Sequence, residues 1–157
     1  MSFSVKPASL EQKQIISSLL QPYLTELSRF PDENLDYKDG NGTYFYPYLN
    51  AYWLEKERSP YLLYDDRRIA GFALVRQDGE HWEMAKFYVL PEFRRCGLGM
   101  TCAMEIFKRH PGEWRIGYNK QNQASRALWQ KLAELLSKGD ILAGASDASH
   151  DFTSFLV

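Results

Sequence analysis

The chain has 157 residues, a formal net charge of -1, 45% hydrophobic and 25% charged residues. That length suits one domain, residues 1–157, with one sizeable core, and the near-neutral charge gives no electrostatic argument for nucleic acid or an acidic membrane surface. Two cysteines, Cys96 and Cys102, make no disulfide framework and have no zinc spacing, so a reducing, cytoplasmic setting without metal is expected. The first residues, Met1 to Pro7, show no signal-peptide core, and no apolar run reaches membrane-spanning length.

Phe3 to Lys6 alternates weakly as a first strand, which Pro7 ends. Ser9 with Gln12 reads as a capping box. Leu10, Ile16, Leu19, Leu20, Tyr23, Leu24 and Leu27 then follow one helical face. Pro22 inside that pattern predicts a kink or a split into two helices. Residues 28–47 lose periodicity and are rich in loop formers. A loop of this length in a small domain is usually functional or mobile, and Asp32, Glu33, Asp36 and Asp39 make it either a solvated acidic loop or one that attracts a cationic amine.

The aromatic residues of the chain, ten tyrosines, nine phenylalanines and four tryptophans, crowd into residues 44–64. There they predict a short helix with Leu49, Tyr52, Trp53 and Lys56 near one face. These rings either pack the core or wall a substrate site. Arg58-Ser59-Pro60 closes the segment. Tyr61 to Tyr64, Ile69 to Arg76 and His81 to Val89 read as three strands with short polar turns, an antiparallel meander.

After Val89 comes the most informative stretch. Pro91 stops the strand. Arg94-Arg95-Cys96-Gly97-Leu98-Gly99 follows, and then Leu98, Cys102, Ala103, Ile106 and Phe107 recur at helical spacing. A strand, a basic glycine loop and a helix N-terminus in that order make an anion site. The third glycine of a dinucleotide fingerprint is absent, and no Gly-Lys-Ser/Thr follows. Trp114 to Tyr118 is a strand reached through a helix, hence a parallel neighbour of His81 to Val89. A helix with Ala124, Leu128, Lys131, Leu132, Leu135 and Leu136 on one face comes next. Ile141 to Ala143 and Phe152 to Val157 are the last strands.

The loop resembles the Arg/Gln-x-x-Gly-x-Gly/Ala signature of the GNAT family of N-acetyltransferases, with the usual Val-x-Pro strand end before it. The element order resembles that family along the whole chain. The resemblance implies an α/β fold with a mixed sheet of six to seven strands, an antiparallel meander followed by a splayed parallel pair, and about four flanking helices. It implies acetyl-coenzyme A as co-substrate, with the pyrophosphate on Arg94, Arg95, Cys96, Gly97, Leu98, Gly99 and Met100. A backbone N–H at a strand bulge near Tyr88 or Val89 is implied to meet the thioester carbonyl and the pantetheine arm. Asn122 matches the family's asparagine before the next helix, with Ser125 in place of a small alanine and Trp129 in place of a tyrosine. In relatives the asparagine contacts pantetheine and the tyrosine often protonates the leaving thiolate. An indole N–H donates a hydrogen bond but is no acid near neutral pH. That role therefore does not transfer to Trp129, though packing against the arm does.

The implied reaction is direct attack by a primary amine of a small molecule or peptide in a ternary complex. An alkyl ammonium has a pKa of about 10 and must lose a proton first. Glu83, fourteen positions before Gly97, is the expected base, with Glu80 and His81 as weaker alternatives and Tyr118 as a speculative donor to the thiolate. The expected state is a monomer or homodimer. A catalytically silent acyl-coenzyme A-binding domain and a cofactor-free anion-binding module are the competing readings.

Overall fold

In the computed structural model, which describes residues 2–31, 33, 38–144, 146–147 and 149–157, a seven-stranded mixed sheet carries four α-helices. Strands β1 (Phe3–Pro7), β2 (Arg58–Asp65), β3 (Arg68–Asp78) and β4 (His81–Val89) are antiparallel neighbours in chain order. β5 (Glu113–Asn119) is parallel to β4, and β7 (His150–Leu156) lies between β5 and β6 (Leu142–Ala143). The meander followed by a parallel pair is the predicted topology.

Local physics explains the differences from the predicted boundaries. β2 starts at Arg58 and runs through Pro60, because β1 pairs with it only from Tyr61 onward. The Pro60 carbonyl accepts from Ala8 N–H on that side, where proline has no donor to lose. α1 (Lys13–Leu27) runs through Pro22 as one helix, not two, with Ile16, Leu20 and Leu24 buried on its inner face. Before it comes a 3₁₀ turn, Leu10–Gln12, where the Gln12 side chain accepts from Ser9 N–H at 2.9 Å. α2 is a single turn, Ala51–Leu54.

Two cores form, one on each sheet face. On one face α3 (Leu98–Arg109), through Phe107 among others, and α4 (Gln123–Leu136) pack against Trp114, Ile116 and Phe155. Complete burial of residues such as Trp114, Phe107, Ile106 and Leu132 stabilises this layer by roughly 1.5–3 kcal/mol for each large side chain. The last turn of α3 carries Lys108 and Arg109, favourable at the negative end of the helix dipole. On the other face α1 and the aromatic segment pack on Leu62, Phe72, Leu74 and Tyr88.

That packing takes part of the aromatic segment into the core, while Phe45 and Tyr48 stay exposed. Tyr44 and Tyr52 are buried in this second core, and Trp53 Nε1 donates to the Ala8 carbonyl at 3.0 Å. Gln21 of α1 bonds both backbone groups of Tyr44 at 2.8 Å, holding the segment against the helix.

Two features of β4 position the site. The β3–β4 register slips so that Leu74 opposes Lys86 while Val75 opposes Met84, which leaves Ala85 as an extra residue. Ala85 joins the α1-side core, whereas Met84 and Phe87 pack on the α3/α4 side. The bulge is therefore at Ala85 and not, as predicted, near Tyr88 or Val89. Those two pair regularly with Phe72 and Gly71. Second, β4 and β5 pair only from His81–Glu113 to Glu83–Arg115. Beyond Glu83 the strands part, and a V-shaped opening begins.

Candidate active site

The opening between β4 and β5 is a cleft of about 440 Å³ that reaches both faces of the sheet. Alternation decides which side chain looks into which half. Met84, Phe87 and Val89 turn to the α3/α4 face, while Ala85 and Tyr88 turn to the α1 face.

On the α3/α4 side the walls are the glycine loop and the N-termini of α3 and α4. Arg95 (φ 61°) and Gly97 (φ 88°) are both left-handed, and Gly97 is the N-cap of α3. Left-handed residues in such a turn aim successive N–H groups into one concavity, which suits an anion, and the helix dipole adds to it. A Cβ on Gly97 would meet nothing within 4 Å, so the glycine there answers a backbone demand. Across the cleft, Asn122 caps α4, its side-chain oxygen accepting from Ser125 N–H at 3.1 Å. Trp129 is 6% exposed and stands edge-on to Phe87, with centroids 5.2 Å apart. It forms a cleft wall as a packing residue.

Of the predicted coenzyme contacts, Tyr88, Val89, Arg94, Arg95, Gly97, Gly99, Met100, Asn122, Ser125 and Trp129 all line this cleft. Leu98 and Cys96 are not among its lining residues. Leu98 is buried in the core, and the Cys96 thiol donates to the Phe93 carbonyl at 3.1 Å. Cys102 is also core, its thiol pushed up to about 12 by burial, hence chemically quiet.

Arg94 is engaged with protein. Its Nε donates to the Val89 carbonyl at 2.8 Å, and its Nη2 meets Glu26 of α1 at 2.8 Å. The guanidinium lies over the Tyr88 ring, 5.5 Å from the centroid. Burial pushes the Tyr88 phenol up and Glu26 adds to the effect, so the hydroxyl stays protonated.

On the α1 side the sequence reading captured little. The roof is Tyr23, Glu26 and Phe30, and the floor includes Lys86, Gly117 and Asn119. A side chain at Gly117 would force the Phe152 ring to move, because a Cβ would come within 2.6 Å of it. Glu33 lies over the end of β5. Its Oε2 accepts from Asn119 Nδ2 at 3.0 Å and is 3.4 Å from His150 Nε2. Asp39, predicted in the same acidic group, instead caps a turn by accepting from the N–H groups of Asn41 and Thr43. Asp32 and Asp36 lie outside the described residues.

Glu83, the predicted base, is not brought into this cleft. It is the last residue of β4 that pairs with β5, and both of its oxygens are taken. Oε2 accepts from Arg76 Nε at 2.8 Å and contacts Nη2 at 2.6 Å, and Oε1 is 3.1 Å from His81 Nε2. Asp78, His81 and Glu83 hold ligand-type atoms within 4.8 Å of one another, with Arg76 as the cation bonded among them. Burial opposes the charge on Arg76, but Glu83 and Asp78 outweigh it and hold the guanidinium protonated. Tyr118 lines the cleft, yet its hydroxyl is bonded to Gln130 at 3.1 Å and to Thr153 at 3.4 Å.

A splayed parallel pair in a mixed sheet, with a glycine loop and two helix N-termini at the opening, is the architecture of the N-acetyltransferase fold. The chain belongs to the acetyltransferase (GNAT) family, whose model matches residues 22–133.

Solved structures agree on the fold. PaiA N-acetyltransferase from Thermoplasma acidophilum, in complex with coenzyme A, aligns with TM-score 0.68 at 15% identity over 100% of both chains. RimL, a ribosomal L7/L12 alpha-N-protein acetyltransferase with coenzyme A, aligns with TM-score 0.71 at 10% identity over 100% of this chain and 95% of its own. Spermidine N-acetyltransferase from Vibrio cholerae, with coenzyme A and spermine, aligns with TM-score 0.67 at 10% identity over 98% of this chain and 95% of its own. No match is found among curated protein sequences. No helix among the described residues is long and apolar enough to cross a membrane.

Proposed function

We propose that the protein transfers an acetyl group from acetyl-coenzyme A to a primary amine of a small molecule or peptide, by direct attack in a ternary complex. The observation that carries this reading is the cleft through the sheet. One half has the anion-binding loop and the other has acidic and aromatic walls, and they meet where β4 and β5 part. We call these the coenzyme half and the acceptor half.

The residues fit the co-substrate. The left-handed Arg95 and Gly97 and the α3 N-terminus would hold the pyrophosphate. Asn122, Leu128 and Trp129 offer a polar edge and an apolar wall for a pantetheine arm. Bound acetyl-coenzyme A would supply an activated thioester, whose thiolate leaves readily because a thiol pKa is near ~8.5. Phe87 to Val89 present the strand edge left open by the splay, as a partner for an extended arm. Val89 has its carbonyl occupied by Arg94, so on this reading the Arg94 side chain shifts when the arm binds.

Calorimetry with acetyl-coenzyme A, followed by product mass spectrometry across a diamine, an aromatic monoamine and a lysine-containing peptide, tests the proposal. Saturable binding and an acetylated amine are expected. Product masses are preferable to thiol reagents, since Cys96 is exposed and would react. Trp129 in place of a tyrosine acid favours one alternative, a silent coenzyme-binding domain. That reading predicts tight binding with no acetylated product from any amine.

A further inference from the structure

On the reading of the cleft as an acetyltransferase site, we infer that His150 is the proton acceptor for the amine, in place of Glu83, and that Glu33, Ser149 and Asn119 position it for a cationic acceptor. His150 lines the acceptor half, at the start of β7 and directly opposite Asn119 of β5. Its two nitrogens have different surroundings. Nδ1 is 2.8 Å from Ser149 Oγ, and that hydroxyl is 2.9 Å from Asp147 Oδ1. Ser149 has one hydroxyl proton. Asp147 is an ionised acceptor, its carboxyl held down at about 2 by N–H groups of His150 and Ser149 and by the Ser149 hydroxyl. With the hydroxyl proton donated to Asp147, Ser149 Oγ accepts from His150 Nδ1–H, and this tautomer of the ring presents Nε2 as an acceptor.

That Nε2 faces Glu33 Oε2 at 3.4 Å. In the neutral state two acceptors confront each other. Once Nε2 takes a proton, the same contact becomes a charge-assisted hydrogen bond. The carboxylate is fixed independently by Asn119 Nδ2, which also donates to the Pro31 carbonyl at 2.9 Å. Glu33 thus attracts an ammonium group into the cleft and stabilises the ring that deprotonates it.

The other charges nearby do not compete for the imidazole. Asp151, next in β7, is bound to Arg126 at 3.0 Å and lies 3.9 Å from Lys120. Glu26 is paired with Arg94, and Lys86 lies over the Tyr46 ring.

The proton balance is simple. The entering R–NH₃⁺ gives one proton to Nε2, which returns it to solvent. The neutral amine forms the C–N bond to the thioester carbonyl carbon, the C–S bond breaks, and the thiolate leaves with the electron pair. The second N–H proton passes to the sulfur, so the products are the amide and the thiol.

The test is kinetic, with the panel amine turned over fastest by the wild type. His150→Gln is expected to lower kcat/KM about 100-fold and to remove the limb on which the rate rises with pH. His150→Ala is expected to recover part of the rate with added imidazole. Glu33→Gln is expected to raise KM for a diamine more than for the aromatic monoamine. Calorimetric affinity for acetyl-coenzyme A should be unchanged in all three, so the coenzyme reading stands or falls separately. A His150→Gln enzyme with a wild-type pH profile, or with a raised KM and lower thermal stability but the same pH limb, overturns the inference and leaves His150 as a prop for Glu33. If the wild type binds acetyl-coenzyme A but acetylates no panel amine, the acceptor reading and this inference both fall.

Discussion

In the coenzyme half of the cleft the geometry is held by backbone: two left-handed residues, a helix N-terminus and a strand edge left open. In the acceptor half it is held by side chains from distant parts of the chain, Glu33 on Asn119 and His150, and Arg94 on Glu26. Backbone geometry specified by neighbouring residues tolerates little change. Side-chain networks between segments can be altered one contact at a time. The two halves should therefore answer mutation differently, the first by loss of binding and the second by graded changes in selectivity and rate.

The largest expected effect tests the rigid half. Gly97→Val places a β-branched residue at φ 88°, which costs roughly 1–2 kcal/mol if the turn is kept. If the turn is not kept, the N–H groups aimed at the pyrophosphate are lost. Acetyl-coenzyme A affinity by calorimetry should fall by roughly 100-fold, about 2.7 kcal/mol, while the fold survives. Unchanged affinity would mean that the loop is a plain strand–helix corner and that the contrast between the halves is misplaced.

The same contrast decides what could be read from the sequence. The anion loop of the coenzyme half lies in one run, Val89 to Met100, where a strand end, a Gly-x-Gly turn and a helical period follow each other directly. Nothing local marks the bulge at Ala85, since no glycine or proline sits there and only the register against Leu74 and Val75 reveals it. His150 is one of several polar residues, Asp147, Ser149 and Asp151 among them, at the head of the last strand. Its value comes from lying opposite Asn119, a pairing that sequence spacing does not disclose. Glu83 lies outside the cleft lining for a related reason. Its spacing from Gly97 suits a base, but the partner that takes both its face and its charge, Arg76, comes from the neighbouring strand. Pro60 runs inside β2 because its missing N–H faces the side where pairing with β1 has ended, and Pro22 sits within α1 without ending it.

A middle-sized effect separates Glu83 from the site. Glu83→Gln should leave the pH profile of transfer unchanged. It should lower stability by about 1 kcal/mol in thermal or urea unfolding, because Arg76 loses a charged acceptor at a half-buried position. A lost pH limb in this variant would return the base to β4 and count against His150.

The smallest effect probes the contact that joins the two halves. Arg94 and Glu26 meet at 2.8 Å with about a third of each side chain exposed, so the pair is worth only about 0.5 kcal/mol. As it stands, the pair ties α1 to the loop and engages the Arg94 guanidinium with protein. Glu26→Gln removes the competing charge while keeping a hydrogen-bonding side chain of the same size. If Arg94 turns to the pyrophosphate when coenzyme binds, its release should raise acetyl-coenzyme A affinity two- to threefold at low ionic strength. The gain should shrink as salt screens both the pair and the phosphate contact. A fall in affinity would show the opposite division of labour, with Glu26 presenting Arg94 to the coenzyme. The acceptor half would then take part in holding the co-substrate, and the two halves would be coupled through one guanidinium.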